Sequence, residues 1–295
     1  MARDSIGKAA VEEKGWIRSH KWLVMRRISQ LSIIALFLVG SATTLNALDE
    51  WGEPVRIIKG NLVSSLVLDT VPLTDPFVYL QTLFAGHAFE TTALIGALIV
   101  VLFYLAVGGR VYCSWVCPMN MVTDAAAWLR RKLGLKKRCE LSPNIRFWVL
   151  GMVMVMSLLS GTLLWELVNP VTLLQRSILY GFGIGWVAVG GIFLYDLLWS
   201  RNGWCGHICP MGAFYSLLGK LSLVRVRAAD REACNDCMDC FAVCPEPQVL
   251  RIPLKGEDGT SNIVNYSQCT NCGRCVDVCG PDVFRFGGRF GDNMR

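Results

Sequence analysis

A chain of 295 residues that is 53% hydrophobic and only 18% charged is too apolar for an ordinary soluble domain, so membrane spans are the first expectation. The net charge of +6 comes from Lys and Arg gathered at particular ends of apolar segments, which excludes reading it as a nucleic-acid footprint. The 13 cysteines argue for metal ligation over disulfides if they face a reducing compartment.

Three regions follow in chain order: a basic N-terminus (1–27), an apolar region (28–222) and a cysteine-rich region (223–295). The first carries Arg3, Lys8, Lys14, Arg18, Lys21, Arg26 and Arg27. Arg26-Arg27 ahead of an apolar run could belong to a twin-arginine export signal. Cleavage there would leave an odd number of spans and put the large cation-rich segments outside, so an uncleaved anchor is the better account. Four windows, 28–48, 91–108, 147–168 and 180–199, approach the roughly 20 apolar residues that a hydrocarbon core of about 30 Å requires.

Positive residues resist translocation. The segment between the second and third windows holds Arg110, Arg130, Arg131, Lys132, Lys136, Lys137, Arg138 and Arg146, whereas the first outer loop has only Arg56 and Lys59 and the last only Arg176. Both termini are therefore expected in the cytoplasm, with Trp22, Trp51, Trp148, Trp165 and Trp199 as interfacial anchors.

The apolar region reads as a duplication. Asp75-Pro76-Phe77-Val78-Tyr79-Leu80-Gln81 is followed by Tyr112-Cys113-Ser114-Trp115-Val116-Cys117-Pro118-Met119. Asn169-Pro170-Val171-Thr172-Leu173-Leu174-Gln175 is followed by Trp204-Cys205-Gly206-His207-Ile208-Cys209-Pro210-Met211. The expected fold is an all-α membrane domain of four transmembrane helices, arranged as two parallel-repeat hairpins, with a C-terminal α+β two-cluster ferredoxin-like domain.

A pseudo-two-fold axis would bring Cys113 and Cys117 to face Cys205 and Cys209, four thiolates being the ligand count of one iron-sulfur cubane. The prolines bias Cys117 and Cys209 away from the helical basin. Helical stretches resume with Val122, Ala126, Leu129 and Leu133, and with Phe214, Leu217, Leu218 and Leu221, on one face each. A redox dithiol in each half and plain structural cysteines stay open as alternatives. Helical pairs would sit about 5–6 Å apart at Cβ, beyond disulfide reach. Cys139, alone after a basic run, reads as a free thiol.

Cys234-x-x-Cys237-x-x-Cys240-x-x-x-Cys244-Pro245 and Cys269-x-x-Cys272-x-x-Cys275-x-x-x-Cys279 have the spacing of a two-cluster ferredoxin, in which the fourth cysteine of each run serves the other cluster. The crossed ligand sets are Cys234, Cys237, Cys240 and Cys279 for cluster 1, and Cys269, Cys272, Cys275 and Cys244 for cluster 2. Tetrahedral zinc needs fewer cysteines than this. Cys279 is followed by Gly280 before Pro281, a one-residue departure from the first run. Val249, Ile252, Ile263 and Val264 are candidates for small strands and apolar cover.

No Gly-x-Gly-x-x-Gly marks a nucleotide site. No Cys-x-x-Cys-His marks haem, and His20, His87 and His207 lie outside the middle of the windows. The expected cofactors are two 4Fe-4S clusters with a candidate third at the Cys-x-x-x-Cys-Pro motifs, and no haem or nucleotide. For a membrane-bound protein the expected donor is a lipid-soluble quinol from the membrane pool or a docked protein partner. Quinol oxidation needs polar groups that hydrogen-bond two hydroxyls and accept protons. Asp75 and His87 are the leading candidates, ahead of Asp69, Gln81, Glu90, Glu166, Asn169, Gln175, Arg176, Asp196 and His207. The plainer reading has Asp75-Pro76 and Asn169-Pro170 capping helices.

Gly15-Trp16 with His20, Val71-Pro72-Leu73-Thr74-Asp75-Pro76, the two Cys-x-x-x-Cys-Pro motifs and Cys244-Pro245-Glu246-Pro247 together resemble the NapH family of membrane quinol dehydrogenase subunits of periplasmic nitrate reductase systems. The resemblance covers essentially the whole chain. It implies a four-span protein of the bacterial inner membrane that oxidises menaquinol or ubiquinol. Electrons would pass, with a periplasmic ferredoxin-like subunit of the NapG type and c-type cytochromes, towards nitrate reduction. The alternative is an iron-sulfur maturation or assembly factor of a respiratory oxidase. Such proteins share these motifs but usually continue into a further soluble domain, whereas 16 residues follow Cys279 here.

Overall fold

The computed structural model describes residues 6–39, 58–60, 64–67, 71–88, 90–135, 142–181, 183–256 and 261–290. Cys139, Asp69, Trp51 and residues 40–48 of the first window lie outside them.

The basic N-terminus does not stand apart. It forms α1 (Lys8–Lys14), α2 (Trp16–Ser19) and α3 (Lys21–Val39), and these lean on the cysteine-rich region. The Asp277 carboxylate accepts from the first N–H groups of α3, Trp22 at 3.1 Å and Leu23 at 2.8 Å, satisfying orphan donors from another part of the chain. The Gly7 N–H donates to Asp239 at 2.9 Å and Lys14 to the Val276 carbonyl at 3.2 Å.

The first half of the apolar region is not wholly helical, which amends the all-α expectation. Strands β1 (Ile58–Gly60), β2 (Ser64–Val67) and β3 (Val71–Thr74) form an antiparallel meander, with Ile58 opposite Val67 and Ser64 opposite Thr74. The segment is short and rich in Val, Ser and Thr, which suits a pleated edge better than a helix.

Helices then follow in two matching series. The first is α4 (Pro76–Phe84), α5 (Thr91–Val107), a π-helical turn (Tyr112–Val116) and α6 (Met119–Leu133). The second is α7 (Ile145–Ser160), α8 (Leu164–Val168), α9 (Pro170–Tyr180), α10 (Ile184–Leu198), a π-helical turn (Trp204–Ile208) and α11 (Pro210–Leu218). Asp75 and Asn169 are equivalent N-caps, at φ −63°, ψ 121° and φ −64°, ψ 112°. Their side-chain oxygens accept from Phe77 N–H at 2.8 Å and Val171 N–H at 3.1 Å, and each is followed by proline at the first helical position, where a missing N–H costs nothing.

Among the described residues no helix is long and apolar enough to cross a membrane. Helices occupy most of the described residues of the four windows, but α5, α7 and α10 have 17, 16 and 15 residues. That gives about 22–26 Å at 1.5 Å per residue, against a hydrocarbon core of about 30 Å. Helix α3 has 19 residues but carries Lys21, Arg26, Arg27, Ser29 and Gln30 in its first half. The outward faces of the other three are strongly apolar and exposed: Leu98, Leu102 and Phe103 on α5, Met152, Val155 and Leu159 (75%) on α7, Ile184, Val187 (74%) and Leu194 on α10.

The interior of this region is an aromatic cluster of Phe77, Tyr104, Tyr112, Trp165 and Tyr215 with Val153, Met154 and Met211, against which Cys113, Cys117 and Cys209 pack. Tyr112 stacks on Tyr215 at 4.9 Å, and burying each such ring contributes about 1.5–3 kcal/mol. The backbone of α11 comes so close to Gly109 that an added Cβ would lie 2.1 Å from the Tyr215 carbonyl oxygen.

In the C-terminal region β4 (Val224–Ala228) pairs antiparallel with β5 (Phe284–Gly288), Ala228 opposite Phe284. The helices α12 (Asp239–Val243), α13 (Arg251–Lys255) and α14 (Arg274–Val278) complete an α+β unit. Its core holds Val226, Ala228, Val249, Leu250, Val264, Val283 and Phe284. Ile263 adds only an isolated bridge to Arg227, and Ile252 is exposed, so Val249 and Val264 supply cover while the strands come from residues the sequence reading did not choose.

Candidate metal centres

Short spacings force tight loops. Asp236 and Asn271 occupy the same place in the two Cys-x-x-Cys loops, and both are left-handed, at φ 58° and 46°, a conformation that Asp and Asn tolerate better than most residues. The next left-handed position is Met238 (φ 63°) in one loop and Gly273 (φ 74°) in the other. These precede α12 and α14, which pack side by side. Each helix ends at the fourth cysteine of its run in extended backbone, Cys244 at φ −68°, ψ 129° and Cys279 at φ −82°, ψ 112°. The Gly280 departure therefore leaves Cys279 in the same geometry as Cys244.

The outcome is a crossed arrangement. Cys234, Cys237, Cys240 and Cys279 line one cavity with Leu254, Val283 and Phe284. Cys244, Cys269, Cys272 and Cys275 line a second with Val226, Val249 and Leu250. The sulfurs surround a space instead of converging on a point: among the described residues, no three His, Cys, Asp or Glu side chains gather to hold a single ion.

The Cys-x-x-x-Cys-Pro motifs fold alike. In each, an i to i+5 hydrogen bond closes the π turn, Cys117 N–H to Tyr112 carbonyl at 3.0 Å and Cys209 N–H to Trp204 carbonyl at 2.9 Å. The second cysteine is extended ahead of its proline, at φ −66°, ψ 121° and φ −63°, ψ 115°, as the pre-proline restriction requires. The four thiols are electrostatic neighbours. Burial first, then Cys113 and Cys209, push the Cys117 thiol up; burial, then Cys117 and Cys209, do the same at Cys205. All four are half-buried, and like charges this close oppose one another's ionisation. His207 lies half-buried within the second π turn, between Cys205 and Cys209.

The first π turn touches the second cavity directly: the Ser114 hydroxyl donates to the Thr270 carbonyl at 2.7 Å and the Trp115 indole to the Asn271 carbonyl at 3.1 Å. Arg201, ahead of the second π turn, donates to the Cys244 carbonyl at 2.6 Å. Glu246, in the lining of that cavity, accepts from Arg110 and Arg146, both at 2.8 Å, and all three are buried. Arg110 also donates to the Gln268 and Cys205 carbonyls, at 2.8 and 3.1 Å, and Arg146 to the Gly206 carbonyl at 3.1 Å. Burial would raise the Glu246 carboxyl, but Arg110 and Arg146 hold it below the usual carboxylate range.

On the other flank, Asp124 binds Arg274 at 2.5 Å and Arg27 at 2.6 Å, with Arg26 at 3.7 Å. Arg26 is fully buried, and its three guanidinium nitrogens have no hydrogen-bond partner among the described residues. Burial and Arg274 pull it down to about 10, while Cys272 beside it acts in the opposite sense. A buried cation is costly unless an anion meets it closely, and Asp124 meets Arg26 only at 3.7 Å and without a hydrogen bond. An anionic cluster would complete that pairing, and the four cysteines around the second cavity fit an iron-sulfur group.

The expected quinol pair is not brought together. Asp75 is buried, accepting from Phe77 N–H and from the Tyr215 hydroxyl at 3.1 Å. Burial pushes its carboxyl up to about 6. His87 is exposed beyond the far end of α4, about 13 Å of helix away. Gln81 is bonded to Ser157 at 2.7 Å, Glu166 to Asn169 and Thr172, and Asp196 to the Trp204 N–H at 3.0 Å; Glu90 and Arg176 are exposed and Gln175 half-buried.

The sequence reading used Arg26, Arg110 and Arg146 only as topology or export signals, quoted Glu246 only within a family motif, and did not single out Arg274. Their places beside cysteine motifs were the available clue: Arg110 three residues before Cys113, Glu246 two after Cys244, Arg274 next to Cys275.

Known proteins share this organisation. The family model of a 4Fe-4S binding domain matches residues 89–136, and two models of 4Fe-4S dicluster domains match residues 227–280 and 202–250. The ferredoxin-type protein NapH of Haemophilus influenzae is 48% identical over 285 residues, 96% of each chain. NapH of Escherichia coli is 49% identical over 278 residues, 94% of this chain and 93% of its own. The chain belongs to the NapH and MauN family of ferredoxin-type proteins. MauN, the methylamine utilization ferredoxin-type protein of Methylorubrum extorquens, is 47% identical over 274 residues, 93% of this chain and 91% of its own. No solved structure matches the chain. As a member of this family the chain is an iron-sulfur protein of electron transport.

Proposed function

We propose that the chain is a membrane-bound quinol-oxidising subunit that takes electrons from menaquinol or ubiquinol and passes them on singly. Cys234, Cys237, Cys240 and Cys279 would hold one 4Fe-4S cluster, Cys244, Cys269, Cys272 and Cys275 a second, and Cys113, Cys117, Cys205 and Cys209 a shared third. When bound, such a group supplies one-electron redox chemistry. The observation that carries the reading is the crossed lining of two cavities by eight cysteines.

The protein's own groups have defined tasks. Val226, Val249, Leu250, Val283 and Phe284 limit water at the sulfurs. Glu246 fixes Arg110 and Arg146 between the π turns and the second cavity. A quinol becoming quinone gives up two electrons and two protons; Asp75, its carboxyl near 6, is the group suited to take a proton at neutral pH. His87, exposed at the other end of α4, would serve proton exit to water.

Membrane attachment, with four spans and both termini in the cytoplasm, is part of the proposal. It is supported by the exposed apolar faces of α5, α7 and α10 and by the Lys and Arg asymmetry. On the acceptor side, a NapG-type periplasmic subunit and c-type cytochromes leading to nitrate reduction fit the NapH relatives. Relatives named for methylamine utilization align almost as well, which favours a second reading in which the same donor side serves another periplasmic oxidoreductase.

Anaerobically purified protein is expected to contain iron and sulfide and to be reduced by a menaquinol analogue. Cys113→Ser and Cys205→Ser should each abolish the same paramagnetic signal. Separate losses would reject the shared site. Failure with every quinol, with or without the partner subunit, would move the assignment to maturation of a respiratory oxidase.

A further inference from the structure

The two ferredoxin-type cavities are alike in cysteines and unlike in charge. Around the second, Arg274 stands in the cavity lining, Arg110 donates to the Gln268 carbonyl next to Cys269, Arg201 donates to the Cys244 carbonyl, and Arg26 shares Asp124 with Arg274. Arg26 and Arg110 are buried. Of the carboxylates that accompany this set, Glu246 and Asp124 are each outnumbered by the arginines bonded to them, and the buried Asp277 caps α3. Around the first, the cations are Lys14, which donates to the Val276 carbonyl near Cys279, and Lys255 in the cavity lining. Each of those lysines is paired with an exposed aspartate, Asp282 and Asp236.

We infer that the buried arginines, Arg26 foremost, make the second site (Cys244, Cys269, Cys272, Cys275) the higher-potential of the two, so that it is the one reduced first. This rests on the reading above that both cavities hold clusters. Taking up an electron adds negative charge, which a nearby cation favours. A guanidinium keeps its proton at any working pH, and buried charges are screened far less than exposed ones. Hydration of the more open first loop also favours its reduced form, but water responds to charge already present, whereas buried arginines in excess over their carboxylates are a fixed bias. The second site is also the one on which the first π turn sits and to which Arg110 and Arg146 tie the second, so its place in the fold agrees with its charge. Arg26 is a potential-setting residue, acting on the cysteine site through space.

The test is a potentiometric titration of the holoprotein followed by paramagnetic resonance, in the native chain and in Arg26→Gln, Glu246→Gln and Lys14→Gln. Native protein should show two steps. At any one potential the reduced-to-oxidised ratios of the two sites should differ at least tenfold, about 59 mV for a one-electron couple. Arg26→Gln should move only the upper step, downward; Glu246→Gln should move it upward; Lys14→Gln should move only the lower step, downward. Coincident steps, an unmoved upper step in Arg26→Gln, or a downward shift in Glu246→Gln would overturn the inference. Iron and sulfide are measured on every sample. A native content short of two cubanes would instead refute the two-cluster reading. If Arg26→Gln fails to assemble, the opposite signs for Glu246→Gln and the site selectivity of Lys14→Gln decide the matter alone.

Discussion

Asp75 and Asn169 hold the same post in the two repeats with nearly identical backbone angles, and only one of them can ionise. A carboxyl raised from 3.8 to about 6 by burial binds its proton more tightly in the folded state than in the unfolded one. Stability from this group is therefore complete below about pH 4 and lost as pH rises through 6, by about 3 kcal/mol in total. Asn caps as well as Asp, so Asp75→Asn should fold. Its thermal midpoint should exceed that of the native chain at pH 7 and match it at pH 4. Equal midpoints at both pH values would mean that Asp75 is not held protonated by its surroundings. The same variant should lose quinol oxidation if Asp75 accepts the proton. The capping role was legible from Asp-Pro and Asn-Pro. The Tyr215 partner was not, since nothing local ties position 215 to position 75.

At the level of elements, the two π turns and the crossed cysteine helices follow from signals written within a few residues: the proline after Cys117 and Cys209, and the short spacings that demand left-handed positions at Asp236 and Asn271. The β1–β3 meander was missed because its strands are only three or four residues long, too short for a period of two to emerge. The N-terminal helices were read as a separate basic segment because their partner lies 255 positions away, at Asp277. That contact makes its own prediction. Asp277→Ala removes the cap of α3 and should cost about 1 kcal/mol. Hydrogen exchange should rise at Trp22 and Leu23 while the amides of α7 keep their native rates; unchanged exchange at Trp22 would show that α3 does not depend on this cap.

Across the whole molecule, the apolar region presents exposed Leu, Ile, Val and Phe on α5, α7 and α10 to its surroundings, and contiguous faces of this kind in a folded chain mark contact with lipid or protein. The protein should stay with the membrane pellet after alkaline carbonate extraction, and release into the supernatant would count against the four-span proposal. Composition alone carried that expectation. What it could not carry was the seating of the ferredoxin-type unit on the π turns, because Arg110, Arg146 and Arg201 look like any topology-setting cations until their acceptors, Glu246 and the Cys244 carbonyl, are seen.

The bond between the start of α3 and Asp277 also orders events in time. A ribosome delivers Trp22 and Leu23 first and the capping carboxylate near the end of synthesis, so α3 gains its cap only when the two extremities of the polypeptide meet. A chain truncated before position 277 would emerge with those leading amides bare.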